Sequence, residues 1–298
     1  MSPSTNGATM LADLDLLLTA VFVTADDLLP KRAKNARRRI TDAEVITLCV
    51  AQALLGISSD RQFLRAARSR LAGLFSVLPA QDAYWKRRAR LADQIEWVMA
   101  AFARDCPGYW DQICLLDSTP VECGRSVETT RRSQLADACA HHYSRSHSRW
   151  FWGMRLHLLG APDGTIRSVI LASADQKERD VARRLFAIAL RGGETIVCDK
   201  GYAGTEFAQH AATHHDAIVL RPARKSEPDN GLHLSGIRQR IESIFWTLKD
   251  HLGLEAHRAR TLHGLRTRIA AKLLAYSAGI WLNWLTGRPT RTFADLTT

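Results

Sequence analysis

From residue 11 to about 108, apolar positions recur at intervals of three and four with no strand-like alternation, which predicts helices. Thr41-Asp-Ala-Glu44 has the spacing of a capping box, followed by the apolar run VITLCVAQALLG with Gly56 as its stop. A second helix is expected over Asp60 to Leu71 and a third over Ala83 to Arg104. The pattern changes at Tyr109. Gln112 to Asp117 is a short apolar run ending on a carboxylate, and Trp150 to Leu159 alternates large apolar with polar residues. Ala161-Pro-Asp-Gly164 reads as a turn, with Thr165 to Ser173 as the return strand of a hairpin.

A helix then fits Lys177 to Arg191, a strand Thr195 to Cys198, a helix Gly204 to about His214 and a strand Ala217 to Leu220. After the loop Arg221 to Gly236, a helix from Ile237 to His251 carries the stripe Ile241, Ile244, Phe245, Leu248 and Leu252, the spacing of a helix lying on a sheet. Three strands, helix, strand, helix, strand, helix define an α/β class with a mixed five-stranded sheet and flanking helices. The expected domains are an all-helical N-terminal one at 1–108, the α/β one at 109–286 and a tail at 287–298.

Charge narrows the partners. Lysine and arginine number 41 against 30 aspartates and glutamates, a formal net charge of +11. That balance points to a polyanion, with nucleic acid ahead of an anionic membrane surface. The N-terminus has no basic region and carries Asp13 and Asp15 within its apolar part, so it fits a secretory signal poorly. The late apolar stretch Ile269 to Leu285 is interrupted by Lys272 and Asn283, which argues against a membrane span. A cytoplasmic protein is expected. Its six cysteines contain no Cys-x-x-Cys pair, three of them sit beside apolar residues as small buried hydrophobes would, and disulfides are not expected.

Asp117 and Asp199 each close a short apolar strand, and Glu242 lies at the edge of the later helix stripe with Arg238 and Lys249 on roughly the same flank. One aspartate at a strand end is usually a turn residue. Three converging carboxylates would need cations, because unpartnered buried charge is costly. Oxygen-only ligation suits Mg²⁺, with Mn²⁺ as a substitute. Two such ions about 3.5–4 Å apart can serve an in-line phosphoryl displacement.

Leu116-Asp-Ser-Thr-Pro-Val121, Trp150-Phe-Trp-Gly-Met-Arg-Leu-His-Leu158, Cys198-Asp-Lys-Gly-Tyr202 and Arg238-Gln-Arg-Ile-Glu242, continuing to Leu248-Lys249, resemble the DDE transposases of bacterial insertion sequences. Within that group the likeness is greatest to the family named after insertion sequence 982. The resemblance implies a ribonuclease H-like catalytic domain in which Asp117, Asp199 and Glu242 are the acidic catalytic residues and hold two Mg²⁺ ions. It also implies that Arg238 and Lys249 hold the transposon end. The wider signature has a tyrosine seven residues before the glutamate, where this chain has Ser235. Asp199 and Glu242 are only 43 residues apart, which leaves room for one helix, one strand and a loop where some relatives insert a β-rich domain.

The 28 residues from Cys123 to Trp150 exceed an ordinary strand connection and read as a functional loop or short helix. Arg125, Arg131, Arg132, Arg145 and Arg149, interleaved with Tyr143 and Trp150, suit phosphate contacts and base stacking. Arg240 and Lys200 join them as expected DNA contacts, whereas a solvated basic face is the bland alternative. Cys139, His141, His142 and His147 match no common zinc spacing. The expected activity is cleavage at the terminal inverted repeats of an insertion sequence and joining of the 3′-hydroxyl ends to target DNA by a homodimer or larger assembly. A ribonuclease H-like nuclease without strand transfer and an inactive DNA-binding derivative are the alternatives.

Overall fold

The computed structural model describes residues 5–31, 39–144, 148–228, 231 and 233–293. The chain divides into two compact units, one of residues 1–102 with 247–298 and one of residues 103–246. Among the described residues no helix is long and apolar enough to cross a membrane.

The first unit contains α1 (Thr5–Leu28), α2 (Asp42–Leu54), α3 (Asp60–Arg70), α4 (Gln81–Arg88) and α5 (Ala92–Asp105), the last of which runs on into the second unit. The expected capping box opens α2: Thr41 Oγ1 accepts the Glu44 N–H at 3.0 Å, and the Thr41 N–H donates to Glu44 Oε2. Eleven of the thirteen residues of α2 are buried, as befits a helix apolar on every side. The long helix expected over Ala83 to Arg104 is two helices. A tight turn, with Leu91 N–H donating to Arg88 O at 3.0 Å, separates them, and no proline or glycine marks it in the sequence. The terminal helix α10 (Leu262–Leu285) packs against α2 and α1 in this unit, although its sequence position follows the α/β segment.

The second unit holds β1 (Ile113–Gly124), α6 (Val127–Arg132), β2 (Ala140–Ser144), β3 (Arg149–Gly160), β4 (Ile166–Ser173), α7 (Glu178–Ala189), β5 (Thr195–Val197), α8 (Thr205–His215), β6 (Ile218–Leu220) and α9 (Ser235–Trp246). Among the described residues the sheet has six strands in the order β2-β3-β1-β5-β6, with β4 also on β3. The sixth strand, β2, comes from the connection expected to be a loop or short helix. That connection provides both α6 and a strand pairing with the first half of β3, while β4 pairs with the second half. β3 and β4 are antiparallel to their neighbours, whereas β5 runs parallel to β1 and β6 parallel to β5. This mixed sheet is consistent with the ribonuclease H-like class.

Cys114, Leu116, Leu159, Ile196 and Cys198 form one core with Ala182, Leu185 and Phe186 of α7 and Phe207 and Ala211 of α8. α9 packs against β1 through buried Ile241, Ile244 and Phe245. The helix expected to reach His251 ends at Trp246 and passes into a π-helical segment, Thr247–His251. Gly153 marks the closest approach of β3 to β1, because a Cβ there would lie 2.2 Å from the Val121 carbonyl oxygen.

Candidate active site

β1 has an antiparallel neighbour on one side and a parallel one on the other, and β5 pairs only with Ile113 to Leu115. Beyond that point, among the described residues, no strand pairs with the edge of β1 that faces β5. A crevice outside the carboxyl ends of parallel strands is where such sheets place their ligands. Asp117 was expected to end the first strand. It lies near the middle of a twelve-residue strand, because β1 continues against β3 as far as Gly124.

Leu115 is the register partner of Val197, and Asp117 and Asp199 each stand two residues further along their chains. A strand repeats its facing every two residues, so this register brings both aspartates to the same end of the sheet. Asp199 caps the 3₁₀ turn Lys200–Tyr202, its Oδ1 accepting the Gly201 N–H at 2.8 Å. Asp117 Oδ1 accepts the N–H of Ser118 at 2.7 Å.

The structure adds Glu178, from the first turn of α7. Its Oε1 accepts from Ser118 Oγ at 2.7 Å and from Arg155 Nη2 at 2.5 Å. Glu178 Oε2 and Asp199 Oδ1 lie 3.3 and 3.0 Å from the point that a Cβ on Gly201 would occupy, so a larger residue there would push both carboxylates aside. Loss of solvent pushes the Asp117 carboxyl up to about 7, and the charges of Asp199 and Glu178 push the same way. The Ser118 N–H and Arg238 oppose that rise. Tyr202, whose buried hydroxyl has no hydrogen-bond partner among the described residues, is raised by burial and by the same three carboxylates.

Arg238 thus stands close enough to Asp117 to lower its pKa, as expected of a residue on the α9 face packed against β1. Glu242, four residues on, is exposed, and so is Arg240. Among the described residues, no group of three or more His, Cys, Asp and Glu side chains is close enough to hold a metal ion. The structure therefore brings Asp117 and Asp199 together and does not gather Glu242 with them. Two carboxylates still fit Mg²⁺, which binds through one or two of them while keeping waters and taking substrate phosphate oxygens.

The expected DNA contacts are scattered over several elements. Lys200 is exposed on the turn after Asp199, and Arg131 and Arg132 are exposed on α6, where Arg132 pairs with Glu128 at 2.7 Å. Arg149 pairs with Glu122 at 3.0 Å, and Lys249 with Glu255 at 3.2 Å. Arg145 and His147 lie outside the described residues. Tyr143 and Trp150, register partners across β2 and β3, form an edge-to-face pair with ring centroids 5.7 Å apart, both exposed.

Sequence reasoning passed over Glu178, Ser118 and Arg155. Glu178 reads as an ordinary acidic residue in the first turn of a helix, where the helix dipole favours it. Arg155 is one polar position in an alternating strand. Nothing local signals that they meet beside Asp117.

An α/β unit with two aspartates at the open end of neighbouring parallel strands is the class that fold and site define. Residues 110–278 match the family model described as a transposase DDE domain, which is more than half of the chain. The chain belongs to that family. No curated protein matches it. A solved structure described as the cryo-EM structure of piggyBac transposase synaptic complex with hairpin DNA is similar at 10% identity and a TM-score of 0.39. That similarity covers 74% of this chain and 52% of the other, so the chain spans about half the length of that relative.

Proposed function

We propose that this protein is a DNA transposase that cuts at the terminal inverted repeats of its insertion sequence and joins the exposed 3′-hydroxyls to target DNA. The observation that supports it most is the placement of Asp117 and Asp199 in a chain of the transposase DDE family. Asp117, Asp199 and Glu242 are the proposed catalytic residues, Glu242 being carried on α9, the helix that packs against β1. The motifs shared with the insertion sequence 982 family favour that branch.

Asp117 and Asp199 hold the divalent ions, and Glu242 completes the set when α9 adjusts on a bound DNA end. Mg²⁺ or Mn²⁺, when bound, supplies the positive charge that in-line phosphoryl transfer requires. The protein's own side chains position the reacting groups. Arg238, beside Asp117, grips a backbone phosphate near the scissile bond, and Lys249, Arg240 and Lys200 hold flanking phosphates. Arg131, Arg132, Arg145 and Arg149 form a second set of phosphate contacts, with Tyr143 and Trp150 available to stack on an unpaired base. Two ends joined to one target imply a homodimer or larger assembly, acting in the cytoplasm on chromosomal DNA.

The test is cleavage and joining on a labelled duplex carrying the element's own end, with Mg²⁺ or Mn²⁺, for wild type and Asp199→Asn. Metal-dependent nicking and joined products in the wild type, both absent from the variant, are expected. DNA binding without cleavage by either protein under any metal would overturn the catalytic reading. Cleavage without joined products would identify a nuclease.

A further inference from the structure

The first unit has a partly open cavity of ≈ 30 Å³ lined by residues that include Gln52, Ser58, Arg88, Arg268 and Lys272. A space of that size exceeds what one water needs, about 10–15 Å³. Its polar wall is unusual in its charge balance. Arg88 donates to both oxygens of Asp60, at 2.8 and 2.9 Å, and Arg268 donates to the same carboxylate at 2.9 Å. Gln52 Oε1 accepts from Arg88 at 3.0 Å and from the Tyr84 hydroxyl at 2.9 Å, while its amide donates to Asp60. Asp60 is thus fully engaged and offsets a single cation.

Lys272 is the third cation. Its ammonium donates to the Leu252 carbonyl oxygen, and no ion pair with a carboxylate is found for it among the described residues. Burial and the nearby Arg268 push it down to about 8, with no opposing negative charge. The other ionisable groups beside the cavity, Cys49 and Tyr84, are raised by burial and stay neutral. Arg268 also donates to the Ser58 carbonyl oxygen at 3.0 Å, so carbonyl oxygens solvate the cluster in part, but among the described residues three cations face one carboxylate in a half-enclosed space, an excess of positive charge.

We propose that this cavity is an anion-binding site for a phosphoryl group, held by Lys272 and by the positive charge of Arg268 and Arg88 that line it. A tetrahedral oxyanion supplies several acceptors at once to the guanidinium forks and the ammonium, which is what such a cluster recognises. The group can come from a DNA backbone or from a free phosphate. The site is separate from Asp117 and Asp199 in sequence and in compact unit, so it stands or falls independently of the proposed catalysis.

The test uses the full chain with millimolar inorganic phosphate, below the range in which phosphate acts as a general stabiliser. Chloride at matched ionic strength is the reference. Phosphate is expected to raise the wild-type melting temperature by about 5 °C when well above its dissociation constant. Lys272→Met, which keeps the length and loses the charge, is expected to weaken phosphate about tenfold, while Lys272→Arg retains it. If phosphate competes with a short DNA duplex, and Lys272→Met also weakens the duplex, the ligand is backbone phosphate. If the duplex is unaffected, it is a small free anion. Equal melting of the wild type in phosphate and chloride overturns the proposal without any variant. An equal phosphate response in wild type and Lys272→Met, or in Lys272→Gln should the methionine variant not fold, also overturns it.

Discussion

Asp117 and Asp199 occupy equivalent places on neighbouring parallel strands, each two residues beyond the paired Leu115 and Val197. Their nearness has an electrostatic cost. Burial first, and then the charges of Asp199 and Glu178, push the Asp117 carboxyl up to about 7 in the folded protein, against an ordinary value of 3.8. Between those two values the folded chain holds the extra proton, so stability falls as pH rises from about 4 to about 7 and the whole cost is present above that.

Asp117→Asn should therefore be more stable than wild type at pH 8, by about 2 kcal/mol after allowing for the partial exposure of the site. The difference should shrink towards pH 4. Thermal melts of both proteins at several pH values check this, and a stability difference independent of pH would contradict it.

A divalent cation, if the aspartate pair binds one as proposed, would relieve the same repulsion. Adding Mg²⁺ or Mn²⁺ at pH 8 should raise the wild-type melting temperature, by an amount that grows with the logarithm of concentration. Asp199→Asn should lose most of that response. Equal responses in the two proteins would place the cation elsewhere.

Glu242 is exposed on α9, and Glu178 is bonded into the sheet. Glu242→Gln should leave stability within about 0.5 kcal/mol of wild type, as exposed substitutions do, while abolishing DNA cleavage. Glu178→Ala should cost about 1–3 kcal/mol, because it leaves the Arg155 guanidinium and Ser118 hydroxyl without their shared acceptor. Denaturant unfolding distinguishes the two, and a stability loss at Glu242 as large as that at Glu178 would refute the difference in their roles.

Glu194 sits at the head of β5 and is 1% exposed. It accepts from the Arg191 and Gly192 N–H groups and pairs with buried Arg167 at 3.4 Å. Glu194→Ala should destabilise the protein by about 3–5 kcal/mol, since it strands a buried guanidinium. A loss of unfolding free energy below a fifth of that cost would show that the Gly108 carbonyl oxygen, which Arg167 already donates to at 3.3 Å, suffices for the guanidinium.

Much of the architecture follows from local rules that the sequence states openly. The capping box at Thr41 and Glu44, the turn at Ala161 to Gly164 and the alternation along β3 depend on residues a few positions apart. The stripe Ile241, Ile244 and Phe245 likewise announced the buried face of α9. Two strand-associated aspartates, the basic net charge and the glycine after Asp199 were equally legible, because each is a property of composition or spacing.

Other features depend on which elements meet. That β1 runs past Asp117 to Gly124 is settled by its pairing with β3, a long-range contact no local pattern encodes. The strand β2 exists because β3 offers it an edge, and the break between α4 and α5 carries no proline or glycine to mark it. The sequence by itself determined the alternation of elements and the acidic residue types on the strands, since side-chain periodicity and turn chemistry act over a few residues. Only the tertiary structure decided that Asp117 and Asp199 stand at the same end of neighbouring strands, that Glu178 and Arg155 meet beside Asp117, and that Glu242 is exposed on α9. Register between distant strands and the docking of α7 and α9 are fixed by packing across the whole sheet.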